Sequence, residues 1–192
     1  MNYYQDLTLL PGGDIGISFI RNKVFNRIHK RLVDFKKADG SVPIALTFPN
    51  YANNKKDLGN KIRLLTEDKT VLEKYDLFSL VSIFSDYVHV TNIRSVPLNI
   101  NGYVCFFRKQ SNNNVERLAK RRAKRKGISF QEALSDYSQF EEQFIDLPFL
   151  TLKSGSTGET FKLFIDKKEA EMSSSTKFNT FGLSKGGAVP DF

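Results

Sequence analysis

The sequence predicts an α+β protein, with a ferredoxin-like domain over residues 1–98 and a second, differently built part over 99–192. Three observations carry this. The first hundred residues follow the order β-α-β-β-α-β, that of a split βαβ unit. Of the 29 basic residues, seven fall in the ten-residue run Arg117 to Lys126, which therefore holds seven of the eight net positive charges. Apolar residues make up 40% of the chain and include 17 Phe, enough to pack a core around both features.

The elements follow in order. Tyr3 to Leu10 reads as a strand ended by Pro11-Gly12-Gly13. From Ser18 to Phe35, apolar residues recur at Ile20, Val24, Ile28 and Leu32 with Phe25 and Phe35 beside them, which is helical spacing. Ser41 to Phe48 is a strand stopped by Pro49-Asn50, and Lys61 to Leu65 a third. A helical stretch in one or two pieces covers Lys69 to Phe84, and a strand follows over Tyr87 to Ile93. Tyr103 to Gln110 is a strand leading into three asparagines, then the basic helix from Val115 to a C-cap at Gly127. Ser129-Phe130-Gln131-Glu132 is a capping box opening a helix to about Phe140. Two strands, Phe149 to Lys153 and Glu159 to Asp166, flank the turn Ser154 to Gly158, and a final strand is expected near Lys177 to Leu183.

Several classes of chemistry have no support in the sequence. A single cysteine, Cys105, sits in an apolar strand and cannot form a disulfide within the chain. Residues Met1 to Asp6 lack the basic and apolar regions of a signal peptide, and Leu77 to Phe84 is too short to span a bilayer. The expectation is a cytoplasmic, soluble protein without membrane partners. No Cys/His cluster at metal spacing, phosphate-binding glycine loop or dinucleotide fingerprint occurs, so neither metal nor cofactor is expected.

The basic run points to a polyanion. Arg117, Arg121 and Arg125 stack at i, i+4, as do Lys120 with Lys124 and Arg122 with Lys126, each a mildly repulsive pair in isolation. Nucleic acid relieves that repulsion, while a solvated surface helix or a localisation signal has the same composition. If the protein cleaves a phosphodiester, RNA permits the reaction without a metal, because its 2′-OH can attack once a base near neutrality removes the proton. Only His29 and His89 are available. His29, in Arg27-Ile28-His29-Lys30-Arg31, borders the apolar line of its helix among cations that favour the neutral imidazole. An ordinary histidine at a core margin fits the same pattern. His89 reads as an outward strand residue. Arg108 and Gln110, two apart on a strand, share a face suited to base edges or to plain solvation. The hydroxyls of Ser154, Ser156 and Thr157 sit in a hairpin turn and could contact ribose or phosphate. Phe161 alternates with Leu163 and Ile165, which favours core packing first and base stacking second.

These residues together resemble one family, the CRISPR subtype I-F endoribonucleases that process precursor CRISPR RNA. The resemblance rests on Val24-Phe25-Asn26-Arg27-Ile28-His29, Arg108-Lys109-Gln110, Glu116-Arg117-Leu118, Asp146-Leu147-Pro148-Phe149, Ser154-Gly155-Ser156-Thr157-Gly158, Phe161-Lys162-Leu163-Phe164-Ile165, Gly182-Leu183-Ser184-Lys185-Gly186-Gly187 and Phe192, in collinear order. It implies an N-terminal ferredoxin-like domain joined to a C-terminal α+β domain carrying an arginine-rich helix, here 115–127. It implies that the protein binds the stem-loop of each CRISPR repeat, cuts at the 3′ base of the stem without a metal, and stays with the mature RNA beside other Cas subunits. By the same resemblance, His29 takes the 2′-OH proton and Ser154 holds the attacking ribose. Arg108 and Gln110 read bases, Phe161 stacks beneath the terminal pair, and Arg121 and Arg125 lead a basic helix that includes Arg117, Lys120 and Lys124. The chain departs at Phe181, where the family can carry a tyrosine near the catalytic histidine, and at Ala119 and Lys120, where it can carry arginines. A non-catalytic RNA-hairpin-binding subunit and a DNA-binding regulator are the competing readings.

Overall fold

The computed structural model describes residues 1–12, 15–52, 56–110, 115–138, 145–155, 157–171 and 177–192, with the Arg117 side chain outside this set. Two compact units emerge: residues 1–108 with 147–192, and residues 109–146.

In the larger unit, β1 (Tyr3–Leu9), α1 (Ile17–Asp34), β2 (Ala45–Thr47), β3 (Lys61–Thr66), α2 (Lys69–Tyr75), α3 (Leu77–Val81) and β4 (Val88–Val90) follow the expected order. The sheet runs β2-β3-β1-β4 with antiparallel neighbours, and a short β5 (Arg94–Ser95) also pairs with β1. That is the ferredoxin-like arrangement. Helix α1 forms because Ile20, Val24, Phe25, Ile28 and Leu32 make one buried stripe. The helical stretch after β3 breaks at Asp76, whose φ of 50° ends α2 while its carboxylate accepts from the Ser79 amide to start α3. A 3₁₀ turn over Ser82–Phe84 completes it. The Tyr75 hydroxyl, buried, donates to the Ile28 carbonyl at 2.9 Å and ties α2 to α1.

A second sheet in the same unit runs β7-β8-β6-β9, from β6 (Gly102–Lys109), β7 (Phe149–Lys153), β8 (Thr160–Ala170) and β9 (Val189–Asp191). Its buried residues Val104, Phe106, Leu150, Leu163 and Ile165 join Leu7, Ile28 and Leu46 in one core. Cys105 is half-buried in β6, and His89 is exposed on β4.

The expected strand at Lys177 to Leu183 is a correction. Those residues make isolated bridges from Phe178 to Val42 and Ser184 and otherwise form a turn, because the Asn179 side chain accepts from the Phe181 and Leu183 amides at 2.8 and 3.3 Å. With those amides bound locally, no ladder can use them. The terminal strand is β9 instead.

The smaller unit holds α4 (Val115–Lys126) and α5 (Phe130–Ser135). Gly127, at φ 67°, closes α4 by donating to the Ala123 carbonyl at 2.9 Å. Ser129 caps α5, its hydroxyl accepting from the Glu132 amide at 3.1 Å. The second helix ends at Ser135 rather than near Phe140. The three asparagines at 112–114 and residue 140 itself lie outside the described residues.

Candidate active site

Helix α1 runs beside β7, which among the described residues pairs with β8 alone, and Asn22 connects them by accepting the Thr151 amide at 3.1 Å. Asn22, Asn26 and His29 are spaced i, i+4, i+7 and so line one face of the helix. Asn26, His29 and Lys30 form one wall of a cleft of about 370 Å³, and Lys153, Ser154, Gly155, Phe161 and Phe181 form others. The structure thus brings together His29, Ser154, Phe161 and Phe181 from segments far apart in sequence.

The His29 ring is fixed from two sides. Its Nδ1 lies 2.8 Å from the Thr180 carbonyl, and its plane stacks on Phe181 with centroids 4.1 Å apart at 15°. A carbonyl can only accept, so this hydrogen bond requires the proton on Nδ1 and leaves the lone pair of the neutral ring on Nε2. Burial holds the imidazole below its ordinary value of 6.5, the Thr180 carbonyl opposes that shift, and the Lys30 charge adds to it. The result is a neutral histidine at neutral pH with one basic nitrogen.

Ser154 closes the turn into β8. Its amide donates to the Glu159 carbonyl at 2.8 Å, and its hydroxyl accepts from the Thr157 amide at 3.2 Å. Thr157 is exposed, and Ser156 lies outside the described residues. Phe161 is half-buried while Leu163 and Ile165 are fully buried, so the strand alternation holds but its first position faces the cleft. Phe161 meets Phe181 edge-on at 6.5 Å, and the Arg108 guanidinium lies 5.8 Å from the centroid of each ring. Strand β6 ends at Lys109, and Gln110 is exposed just beyond it.

In the smaller unit, α4 packs through Ala119, which is fully buried. Arg122 is engaged internally, ion-paired with Asp136 and 6.0 Å from the Tyr137 ring centroid. Lys120, Arg121, Lys124 and Arg125 are exposed and, at about 100° per residue, fall within roughly 140° of arc on another side of the helix. That arc is a dense cationic strip. Lys120 also approaches the Phe130 ring at 5.9 Å.

Sequence reasoning missed Asn22, Asn26, Lys153, Asn179 and Thr180, while Lys30 was among the cations it set beside His29. The asparagine stripe on α1 was a readable signal. Thr180 contributes a backbone carbonyl, which no side-chain pattern announces. Among the described residues, no helix is long and apolar enough to cross a membrane, and no three His, Cys, Asp or Glu side chains cluster to hold a metal.

Fold and site define a ferredoxin-like α+β protein with a one-histidine cleft and a separate cationic helical hairpin. Residues 4–192 match the family described as CRISPR-associated protein (Cas_Csy4), and the chain belongs to it. It is 30% identical over 196 residues to the CRISPR-associated endonuclease Cas6/Csy4 of Pseudomonas aeruginosa (strain UCBPP-PA14), covering all of both chains. The protein of the same name from Escherichia coli (strain UTI89 / UPEC) is 26% identical over 193 residues, again over the whole of both.

Proposed function

We propose that this chain is a metal-independent endoribonuclease that cleaves CRISPR repeat RNA at the 3′ base of its hairpin. The observation that carries the reading is the His29 ring lining the cleft, with Nδ1 engaged by the Thr180 carbonyl and so a lone pair left on Nε2. Nε2 takes the proton of the ribose 2′-OH, and the 2′ oxygen bonds to the adjacent phosphorus. The bond from phosphorus to the 5′ oxygen breaks, and that oxygen leaves with a proton from solvent. The products are a 2′,3′-cyclic phosphate and a free 5′-OH. Ser154 holds the attacking ribose, and Lys30 and Lys153 at the cleft favour the phosphate.

Phe161 stacks beneath the last base pair, Arg108 and Gln110 read bases there, and Ser156 and Thr157 contact the backbone at the turn. Arg117, Lys120, Arg121, Lys124 and Arg125 enter the stem's major groove. An A-form groove admits a helix only where a short stem opens toward its loop, so a compact hairpin is the fitting substrate. In this reading residues 1–98 form the ferredoxin-like domain that carries the catalytic histidine and 99–192 the RNA-binding domain. The cationic strip retains the product, so the enzyme stays with the mature RNA in the cytoplasm as part of a complex with other Cas subunits.

The test incubates a cognate repeat hairpin in EDTA with wild type and with His29→Ala, alongside an RNA carrying one 2′-deoxy at the scissile nucleotide. Cleavage is expected only from wild type on all-ribose RNA. Tight binding without cleavage by wild type would leave a hairpin-binding subunit instead.

A further inference from the structure

We infer that Asn179 is a positioning residue that selects the tautomer of His29 through a single peptide group. The inference rests on the reading of His29 as the base and adds how that base is kept in its working form. The Asn179 Oδ1 accepts from the Phe181 amide at 2.8 Å, and the Thr180 carbonyl accepts from His29 Nδ1 at 2.8 Å. That amide and that carbonyl belong to the same peptide unit. In a trans planar peptide the N–H and C=O point in opposite directions. When Asn179 holds the amide, the carbonyl is therefore aimed the other way, at the imidazole.

The turn reinforces this aim. The Asn179 amide donates to the Leu183 carbonyl at 2.8 Å, the Gly182 amide donates to the Asn179 carbonyl at 2.7 Å, and Asn179 Oδ1 also accepts from the Leu183 amide at 3.3 Å. One asparagine thus makes four of the hydrogen bonds that close residues 179–183. Hydrogen bonds in series polarise one another, so the amide bond to Asn179 strengthens the carbonyl as an acceptor for His29.

A rotated 180–181 peptide would invert the site. Its N–H would then face Nδ1 and donate to it, which requires the ring proton on Nε2. That tautomer has no lone pair facing the 2′-OH and cannot act as the base. Asn179 Oδ1 stabilises the productive orientation against this alternative, and aspartate at the same position keeps an acceptor oxygen while alanine does not.

The experiment labels the histidines with nitrogen-15 and reads the imidazole nitrogens by NMR in the RNA-free protein at neutral pH. The chain has two histidines, so a His29→Ala spectrum assigns the signals. Wild type is expected to show protonated Nδ1 and unprotonated Nε2 at His29. Asn179→Ala should move the population toward protonated Nε2 and slow single-turnover cleavage about tenfold, the size that lost neutral hydrogen bonds support, with little change in RNA affinity. Asn179→Asp should restore both readouts. An Asn179→Ala protein that keeps the wild-type nitrogen pattern overturns the inference whether or not it cleaves. Normal cleavage by His29→Ala overturns the base assignment alone, and the NMR comparison still decides what Asn179 does to the ring.

Discussion

Gly182 offers the sharpest test of how the turn beside His29 is held. Its φ is 70°, and a Cβ built there would sit 2.4 Å from Leu46 Cγ and 3.0 Å from Leu46 Cβ. Leu46 is buried in β2, and its amide donates to the Gly182 carbonyl at 2.8 Å, so neither partner can retreat without loss. For Gly182→Ala, the left-handed backbone costs about 1–2 kcal/mol and forced overpacking about 1–3, offset by about 0.4–1 from the stiffer unfolded chain. The net expectation is about 1–5 kcal/mol, read as a lower urea midpoint at unchanged slope. Leu46→Ala alone should cost about 2–5 kcal/mol by opening a cavity. In the double variant the new methyl occupies part of that cavity, so the pair should be less destabilised than the sum by about 1–3 kcal/mol. Cleavage by Gly182→Ala should also fall, since Thr180 and Phe181 immediately precede it. A loss below about 1 kcal/mol, or strict additivity in the double variant, would refute the steric argument.

Two further outcomes follow from the charges. Because burial, with the Lys30 charge, outweighs the Thr180 carbonyl in setting His29, its folded-state value lies below 6.5 and the unfolded value near it. The acid limb of kcat/KM should therefore lie below 6.5. Between the two values the unfolded chain binds more protons, so stability should rise with pH through that window and be fully present above 6.5, a slope that urea midpoints should show reduced in His29→Ala. In RNA binding, Arg121→Ala and Arg125→Ala should each flatten the dependence of log Kd on log salt by about 1, whereas Arg122→Ala, ion-paired with Asp136, should change it less. A slope change from Arg122→Ala matching the other two would count against the cationic strip.

The ferredoxin-like order was legible because each element carries its own local signal. Helix α1 announces its stripe at Ile20, Val24, Ile28 and Leu32, Gly127 and Ser129 announce a helix end and a helix start, and the glycines of 154–158 announce a hairpin. His29 was legible as a candidate by elimination among two histidines and by resemblance. What failed to show was chemistry supplied by backbone or by chain segments distant in sequence. Residues 177–183, with Phe178, Phe181 and Leu183, read as a short strand, yet one asparagine side chain captures the amides a ladder would need. Strand β9 is only three residues long and includes Pro190, too little for a period-two signal. The break at Asp76 depends on a left-handed residue that also caps the next helix, a role composition does not reveal.

The substitution at position 181 takes on a different meaning with the turn in view. From sequence, phenylalanine there removes a hydroxyl that would orient the catalytic ring. In this chain the orienting acceptor is the Thr180 backbone carbonyl, and position 181 contributes a ring face stacked on the imidazole at 4.1 Å. A backbone acceptor does not change with the side chain at 180, and a stacked face is common to phenylalanine and tyrosine. On the proposed role of His29, control of its tautomer therefore passes to the residues that set the path of the peptide. Asn179 fixes its rotation through Oδ1, and Gly182 lets the chain turn back tightly against Leu46. On the proposed assignment of His29 as the base, the choice of its basic nitrogen rests with the 180–181 peptide that Asn179 holds, rather than with the side chain at position 181.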